Sequence, residues 1–184
     1  SNFFNSFKLL TDKQFGFREN HSTAMALINL IDKISESLEN RNFTIGIFID
    51  LSKAFDTIDH SILLDKLYLY GIRGVAHNWF TSYLSNRSQF VTVGNCSSTL
   101  TNASCGVPQG SILGPLLFIL YINDLVNVSK LTEIIMFADD TNLFVFGDNA
   151  STVETDTNAC LRALSNWFLC NKLSLNLSKT CYMI

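Results

Sequence analysis

The apolar positions of the chain repeat with two different periods, and the period predicts which segments form helices. Between residues 23 and 39 they lie three or four residues apart, which indicates an amphipathic helix capped by Ser22 or Thr23. The same spacing predicts further helices: one that begins after Asp59 and ends at Gly71, one from Val75 to Leu84, one from Ser111 or Gly114 to about Leu125, and one capped by Ser151 or Thr152.

Shorter runs of β-branched and aromatic residues predict strands. Residues 43–50 have the composition of a buried central strand that ends at Asp50. Residues 134–146 predict a hairpin whose tight turn is the step from Asp139 to Asp140. Further strands are predicted at 89–93 and 99–105, around Gly94 and Asn95, and at 173–177. Because helices and strands are mixed without a strict βαβ rhythm, we expect an α+β fold.

Length and composition narrow the class of protein. The chain has 184 residues, which suits one domain, and 47% of them are hydrophobic against 16% charged, which excludes a disordered chain. The formal net charge of −3 gives no global basic field for a nucleic-acid partner. Because the chain opens with Ser1 in the middle of a pattern, we expect a piece of a longer protein.

Cysteine usage and hydropathy bear on the compartment. The five cysteines are odd in number and form no C-x-x-C pair, so we expect reduced, mostly packed thiols in an intracellular protein of the cytoplasm, the nucleus or both. The sequence opens with no secretory signal. The longest apolar run, from Ile112 to Ile122, is too short to span a bilayer and contains Pro115, so no membrane partner is expected.

Three aspartates are the main candidates for chemistry. If Asp50 ends one central strand and Asp139 lies at the tip of a neighbouring hairpin, their carboxylates converge at one sheet edge, with Asp140 beside them. A few oxygen ligands suit Mg²⁺, and two such ions about 3.5–4 Å apart activate an attacking hydroxyl and stabilise a leaving pyrophosphate. From the residues alone, an ordinary Asp-rich turn and unrelated surface aspartates remain open interpretations.

Four segments, in this order and spacing, resemble motifs A to D of a reverse transcriptase palm: residues 48–56 (Phe-Ile-Asp-Leu-Ser-Lys-Ala-Phe-Asp), 108–111 (Pro-Gln-Gly-Ser), 137–140 (Phe-Ala-Asp-Asp) and 175–180 (Leu-Asn-Leu-Ser-Lys-Thr). Residues 14–23, 55–60 and 108–115 are similar to non-LTR (LINE-type) retrotransposon enzymes. The resemblance implies an RNA-directed DNA polymerase with a right-hand fold. Its antiparallel palm sheet, backed by helices, would occupy residues 43–184, and a fingers-proximal segment would occupy residues 1–42.

The resemblance also implies roles for individual residues. Asp50, Asp139, Asp140 and the backbone carbonyl of Leu51 would hold two Mg²⁺ ions, with Mn²⁺ as a substitute. Phe55 would exclude a 2′-hydroxyl and so select dNTPs; a plain core Phe is the alternative. Lys179 would protonate the leaving pyrophosphate, unless it is only a solvated strand-end charge. The remaining assignments are Gln109 and Gly110 beside the nucleotide and template, and Gln14, Gly16 and Arg18 on the template strand.

The partners implied are an RNA template, a DNA primer and dNTPs. Upstream fingers, a thumb and an endonuclease are expected in the full-length protein, outside this stretch. Two rival interpretations stay open: an inactive truncated remnant that serves at most as a nucleic-acid or protein interaction module, and another palm enzyme such as a nucleotide cyclase. The Pro-Gln-Gly-Ser loop and Phe55 argue against the cyclase.

Overall fold

The structure, a computed structural model, describes residue 4 and residues 6–184. Its helices are α1 Thr23–Glu39, α2 His60–Leu69, α3 Gly74–Leu84, α4 Leu113–Ile122 and α5 Ala150–Cys170, with a 3₁₀ helix at Asn123–Asn127. Its strands are β1 Phe43–Ile49, β2 Ser88–Gln89, β3 Thr92–Val93, β4 Cys96–Ser97, β5 Thr101–Asn102, β6 Glu133–Phe137, β7 Asp140–Gly147 and β8 Cys181–Met183.

A four-stranded antiparallel sheet, in the order β6-β7-β1-β8, forms the centre of the fold. Side chains of β1 alternate between its two faces. Ile45 and Ile47 point toward α5, and Ile47 and Ile49 join the main core. Thr44 points the other way and meets Ser37 of α1 through a 2.7 Å hydrogen bond between hydroxyls. Helices therefore cover the sheet on both sides, and the expected α+β fold with a helix-backed antiparallel sheet is confirmed.

Helix α4 is the apolar centre of the core. Its side chains from Leu117 to Ile122 are almost completely buried, as expected for a helix that is hydrophobic on all sides. It packs against α2, which itself begins at the N-cap Asp59, as predicted. Each such buried aliphatic or aromatic side chain contributes about 1.5–3 kcal/mol relative to exposure. Because α2 follows motif A and α4 follows motif B, the packing of these two helices anchors both motifs to the core.

The hairpin turn differs from the predicted one. Phe137 pairs with Asp140, so the two turn residues are Ala138 and Asp139, and Asp140 already belongs to β7. Ala138 has a positive φ of 55° and Asp139 does not, which is the φ pattern of a type II′ turn. The prediction of an Asp139–Asp140 turn is therefore wrong by one residue, and the cause is the pairing register.

Other element boundaries also need correction. Asn149, not Ser151 or Thr152, caps α5, because its side chain accepts from the amides of both. The expected strand at 173–177 is a single bridge between Leu51 and Leu175, and the fourth strand lies at Cys181–Met183. The predicted hairpin around Gly94 and Asn95 is present, but as two short ladders, β2 with β5 and β3 with β4.

Exposure corrects two further expectations. All five cysteines carry free thiols, but only Cys160 is buried, so the prediction of mostly packed thiols is wrong. Helix α1 has the predicted position, yet only Ser37 is buried, while Leu27, Ile31 and Leu38 are more than half exposed. Within the described part of the chain, no helix combines the length and the apolar character needed to cross a membrane.

Candidate active site

Two strands bring the carboxylates together. Ile49 at the end of β1 pairs with Thr141 of β7, so the next residue, Asp50, lies across from Asp140. Asp139 precedes Asp140 in the hairpin turn. The side chains of Asp50 and Asp140 line one groove of about 530 Å³, together with Phe48, Phe137 and Lys179. The predicted convergence is therefore present for Asp50 and Asp140 at the ends of two paired strands, whereas Asp139 lies in the adjoining turn and does not line this groove.

The electrostatics of the three carboxylates favour a cation. The pKa of the Asp140 carboxyl is raised above its ordinary value of 3.8, first by burial and then by the charges of Asp139 and Asp50, while Lys179 opposes the shift. Asp140 as a whole residue is nevertheless exposed, which limits the effect of this shift on stability. An oxygen-only set of mutually repelling carboxylates fits a divalent hard cation such as Mg²⁺. Among the described residues, no three acidic, His or Cys side chains already form a closed metal cluster.

Motif D supports Asp50 directly. The side-chain amide of Asn176 donates to Asp50 Oδ2 at 2.7 Å, and the backbone amide of Asn176 donates to the Asp50 carbonyl at 2.8 Å. The Thr180 hydroxyl accepts from the Asp50 amide at 3.4 Å. Lys179 Nζ lies 4.0 Å from Asp50 Oδ2, on a side chain that is 70% exposed. Lys179 therefore lies at the site on an exposed side chain.

The backbone after Asp50 is also fixed by motif D. Leu51 and Leu175 face each other in an antiparallel bridge whose hydrogen bonds are made by the neighbours: Ser52 N–H to the Ser174 carbonyl, and Asn176 N–H to the Asp50 carbonyl. The Leu51 carbonyl takes part in neither bond. Its expected role as a metal ligand stays a prediction, and this pairing is compatible with it.

Phe55 forms one wall of a second cavity. Its ring stacks on Phe118 of the core at a centroid distance of 4.5 Å and meets Phe17 edge-on at 6.1 Å. The half-buried ring and Phe17 line a cavity of about 300 Å³ with Gln109 and Gly110. Phe55 thus packs against the core and also lines the cavity next to motif B.

The motif B loop is tied to motif A. The amides of Gly106 and Val107 donate to the carbonyls of Ile58 and Phe55, at 2.8 and 2.9 Å. Gln109 Nε2 donates to Asp56 Oδ1 at 2.8 Å. Gly110 has a φ of 78°, in the left-handed region that favours glycine, and a Cβ there would meet open space. Gln109 and Gly110 therefore border the cavity of Phe55 on a loop of fixed position.

The structure places the predicted template residues in different surroundings. The Gln14 side chain is buried against the hairpin turn, and Gly16 packs on the backbone of Ala138. Arg18 Nη1 donates to the carbonyls of Thr11, at 2.5 Å, and Gln14, at 3.3 Å. A direct template contact by Gln14 would require these interior bonds to break. The template roles of Gly16 and Arg18 stay predictions.

Two contributions were not predicted from the sequence: the Asn176 bond to Asp50 and the Gln14 bonds to the turn. Asn176 stands within the quoted motif D, three residues before Lys179, and that position is the only signal the sequence offers. For Gln14 the signal is its place two residues before Gly16, in a stretch otherwise assigned to the template. Neither residue type identifies a partner more than 100 positions away.

The comparisons with known proteins match this geometry. The family profile described as reverse transcriptase (RNA-dependent DNA polymerase) matches residues 2–184. The chain belongs to the reverse transcriptase family. The predicted resemblance is confirmed, and the nucleotide cyclase alternative is wrong.

Relatives carry the same family name. The chain is 30% identical to the RNA-directed DNA polymerase from the mobile element jockey of Drosophila melanogaster, over 87% of this chain and 18% of that protein. It is 30% identical to the probable RNA-directed DNA polymerase from transposon BS of the same species, over 94% of this chain and 20% of that protein. These relatives are of the LINE type. The chain therefore spans about a fifth of the reverse transcriptases it resembles.

Solved structures support the fold. Telomerase from Candida tropicalis, in complex with a TWJ fragment of telomeric RNA, superposes with a TM-score of 0.72 at 13% identity, over 98% of this chain and 32% of that one. Telomerase from Candida albicans gives 0.69 at 14% identity, over 99% of this chain and 34% of that one. The right-hand polymerase fold is thus confirmed. The division at residue 42 into fingers-proximal segment and palm stays a prediction, and its residues 1–3 and 5 lie outside the described residues.

Proposed function

We propose that this reverse transcriptase chain provides the catalytic palm of an RNA-directed DNA polymerase of a LINE-type retrotransposon. The observation that carries the proposal is the position of Asp50 directly across paired strands from Asp140, with Asp139 in the adjoining turn. The partners we propose are an RNA template, a DNA primer and dNTPs. The presence of all three carboxylates in a matched family domain does not favour the inactive-remnant interpretation.

The metal site we propose consists of Asp50, Asp139 and Asp140, with the Leu51 carbonyl as an added ligand, for two Mg²⁺ ions that Mn²⁺ can replace. When bound, the ions activate the primer 3′-hydroxyl and neutralise the leaving pyrophosphate. Asn176 keeps the carboxylate of Asp50 oriented toward the groove, because its amide holds Oδ2. We assign the protonation of the leaving pyrophosphate to Lys179, which is exposed and lies 4.0 Å from Asp50 Oδ2.

Substrate selection is proposed for the second cavity. The ring of Phe55 lines this cavity with Gln109 and Gly110, so a sugar bound there would meet an aromatic wall where a 2′-hydroxyl needs space. Gln109 is fixed by Asp56, and it would present its remaining amide oxygen to the nucleotide or the templating base.

Primer extension on an RNA template with Mg²⁺ and dNTPs tests the proposal. It compares this chain, and a version extended into the flanking reading frame, with an Asp139→Asn variant of each. We expect extension by the longer version and a loss of at least about a hundredfold on Asp139→Asn, with primer–template binding retained. Unchanged extension by Asp139→Asn would contradict the metal assignment. Extension by neither version would support an inactive remnant.

A further inference from the structure

The hairpin turn between β6 and β7 has an unusual residue at its strained position. Ala138 has a φ of 55°, where a turn of this kind normally has glycine. A side chain other than glycine in this region requires support from its surroundings. Asp139 and Asp140 follow directly, so the backbone conformation of Ala138 bears on the direction in which both carboxylates project.

The support comes from a side chain more than 100 residues upstream. Gln14 Nε2 donates to the Ala138 carbonyl at 3.1 Å, and Gln14 Oε1 accepts from the Ala138 amide at 2.9 Å. The same Oε1 accepts from the Gly16 amide at 2.7 Å. Both polar backbone groups of Ala138 are therefore bonded to one side chain, which is only 1% exposed.

The backbone around Gln14 is joined to the same hairpin. Phe15 N–H donates to the Met136 carbonyl, and Met136 N–H donates to the Lys13 carbonyl, each at 2.8 Å. Gly16 lies so close that a Cβ would come within 2.1 Å of the Ala138 nitrogen. Residues 13–16 thus form a short parallel addition to the sheet that ends against the turn.

We propose that Gln14 is a positioning residue of the active site, which holds Ala138 in its left-handed conformation and thereby orients Asp139 and Asp140. The role that this inference gives to the carboxylates rests on the proposed function. The hydrogen bonds between Gln14 and Ala138, which we call the clamp, do not depend on that function. The expected template contact of Gln14 stays a prediction, and it would require the bonds to Ala138 to break. Burial makes the clamp strong, because a broken bond would leave unpaired backbone groups away from water.

The test uses three variants of this chain. Gln14→Leu removes all three bonds, and Gln14→Glu keeps an acceptor for the amides of Ala138 and Gly16. Asn123→Leu is the matched control, because Asn123 is another buried amide that binds the same N-terminal segment, through Leu9 and Thr11 rather than through Ala138. Amide hydrogen exchange of Ala138, compared with Leu143 and Val145 of β7, reports on the turn. Direct titration with Mn²⁺, followed by water proton relaxation, reports on the carboxylates without any turnover.

For Gln14→Leu we expect exchange at Ala138 at least about tenfold faster than in the parent chain, relative to Leu143 and Val145, and Mn²⁺ affinity lower by about threefold or more. Gln14→Glu should retain more of the protection of Ala138 than Gln14→Leu. Asn123→Leu should change neither the exchange of Ala138 relative to Leu143 and Val145 nor the Mn²⁺ affinity. The proposal is overturned if Gln14→Leu leaves Ala138 as protected as in the parent chain, or if protection is lost while Mn²⁺ affinity stays the same. Asp139→Asn in the same titration tests the metal assignment separately. Unchanged Mn²⁺ binding by this variant would contradict the proposed function. The exchange of the Ala138 amide in Gln14→Leu tests only the support of the turn by Gln14.

Discussion

Phe55 shows how one side chain serves both core and site. Its ring stacks on Phe118 and also lines the cavity of Gln109 and Gly110. In a version of the chain that extends primers, Phe55→Ala should raise ribonucleotide incorporation relative to dNTPs by about tenfold or more, because the space for a 2′-hydroxyl opens. The ratio of rNTP to dNTP extension efficiency is the measurement. Phe118→Leu, which disturbs the same stack from the core side, should leave that ratio unchanged, and an equal rise in both variants would make Phe55 a core residue only.

Asp140 illustrates the conflict between stability and function at an acidic site. Its folded-state pKa is raised by burial and by Asp139 and Asp50, so its contribution to stability is present at low pH and is lost as the pH rises through that pKa. Asp140→Asn should therefore stabilise the metal-free chain at pH 7, by no more than about 0.5 kcal/mol because the residue is exposed. Thermal unfolding with EDTA and with Mg²⁺ measures this. Asp140→Asn should also lose part of the stabilisation that Mg²⁺ gives the parent chain. A Tm in EDTA below that of the parent chain would contradict the repulsion of Asp140 by Asp139 and Asp50.

Single residues also mark where the sequence was sufficient and where it was not. Asp50 at the end of a β-branched run was predictable, because strand composition and the end of the strand coincide. The turn at Ala138 and Asp139 was not, because alanine is a poor turn residue and its conformation depends on Gln14, which is distant in sequence. The register of β6 and β7 and the contact with Gln14 depend on tertiary structure, so no local sequence pattern predicts them.

At the scale of elements, Asp59 joins the start of α2 to the end of α5. Its carboxylate accepts from the amides of Ser61 and Ile62 and pairs with Lys172 at 2.6 Å. The hydrogen bond from Lys172, followed by that from Ser61, holds the pKa of Asp59 well below its ordinary value of 3.8. This contribution to stability is present at neutral pH and is lost as the pH falls below 3.8, where the unfolded chain takes up the proton first.

Asp59→Ala should consequently lower the free energy of unfolding by about 1–2 kcal/mol at pH 7, mainly through the lost N-cap. The difference from the parent chain should shrink between pH 4 and pH 3, which urea unfolding across that range would show. Lys172→Met removes only the exposed ion pair and should cost about 1 kcal/mol or less. A penalty for Asp59→Ala that does not depend on pH would contradict the role of the ionised carboxylate.

Elements with long periodic patterns were predictable, and short ones were not. Helix α2 was located closely, because its apolar spacing and the Asp59 cap agree, and strand β1 because of its run of β-branched and aromatic residues. The alternation at 173–177 suggested a strand, but only Leu175 pairs, with Leu51, while Leu173 is buried in the core and Leu177 is exposed. The fourth strand, Cys181–Met183, has three residues, too few for a period to be visible. Its place is decided by pairing with residues 46–48 of β1.

At the scale of the whole molecule, the negative net charge is not what the polymerase fold leads one to expect. The chain has the fold of a polymerase palm but a net charge of −3, and it spans about a fifth of the relatives it resembles. Phosphate contacts require basic side chains and make affinity salt-dependent. We therefore expect this chain alone to bind an RNA–DNA duplex only weakly, with a Kd above about 1 μM at physiological salt.

The version extended into the flanking reading frame should bind more tightly, and its affinity should fall more steeply with salt. Fluorescence anisotropy of a labelled duplex at several salt concentrations measures both quantities. Asp139→Asn serves as the control in each version, because removing one carboxylate from the site should alter extension far more than binding. If the short chain bound as tightly, and with the same salt slope, the basic contacts would have to lie within these 184 residues. The side chains to test would then be Lys53 and Arg87, which line the polar cavity beside Gln109.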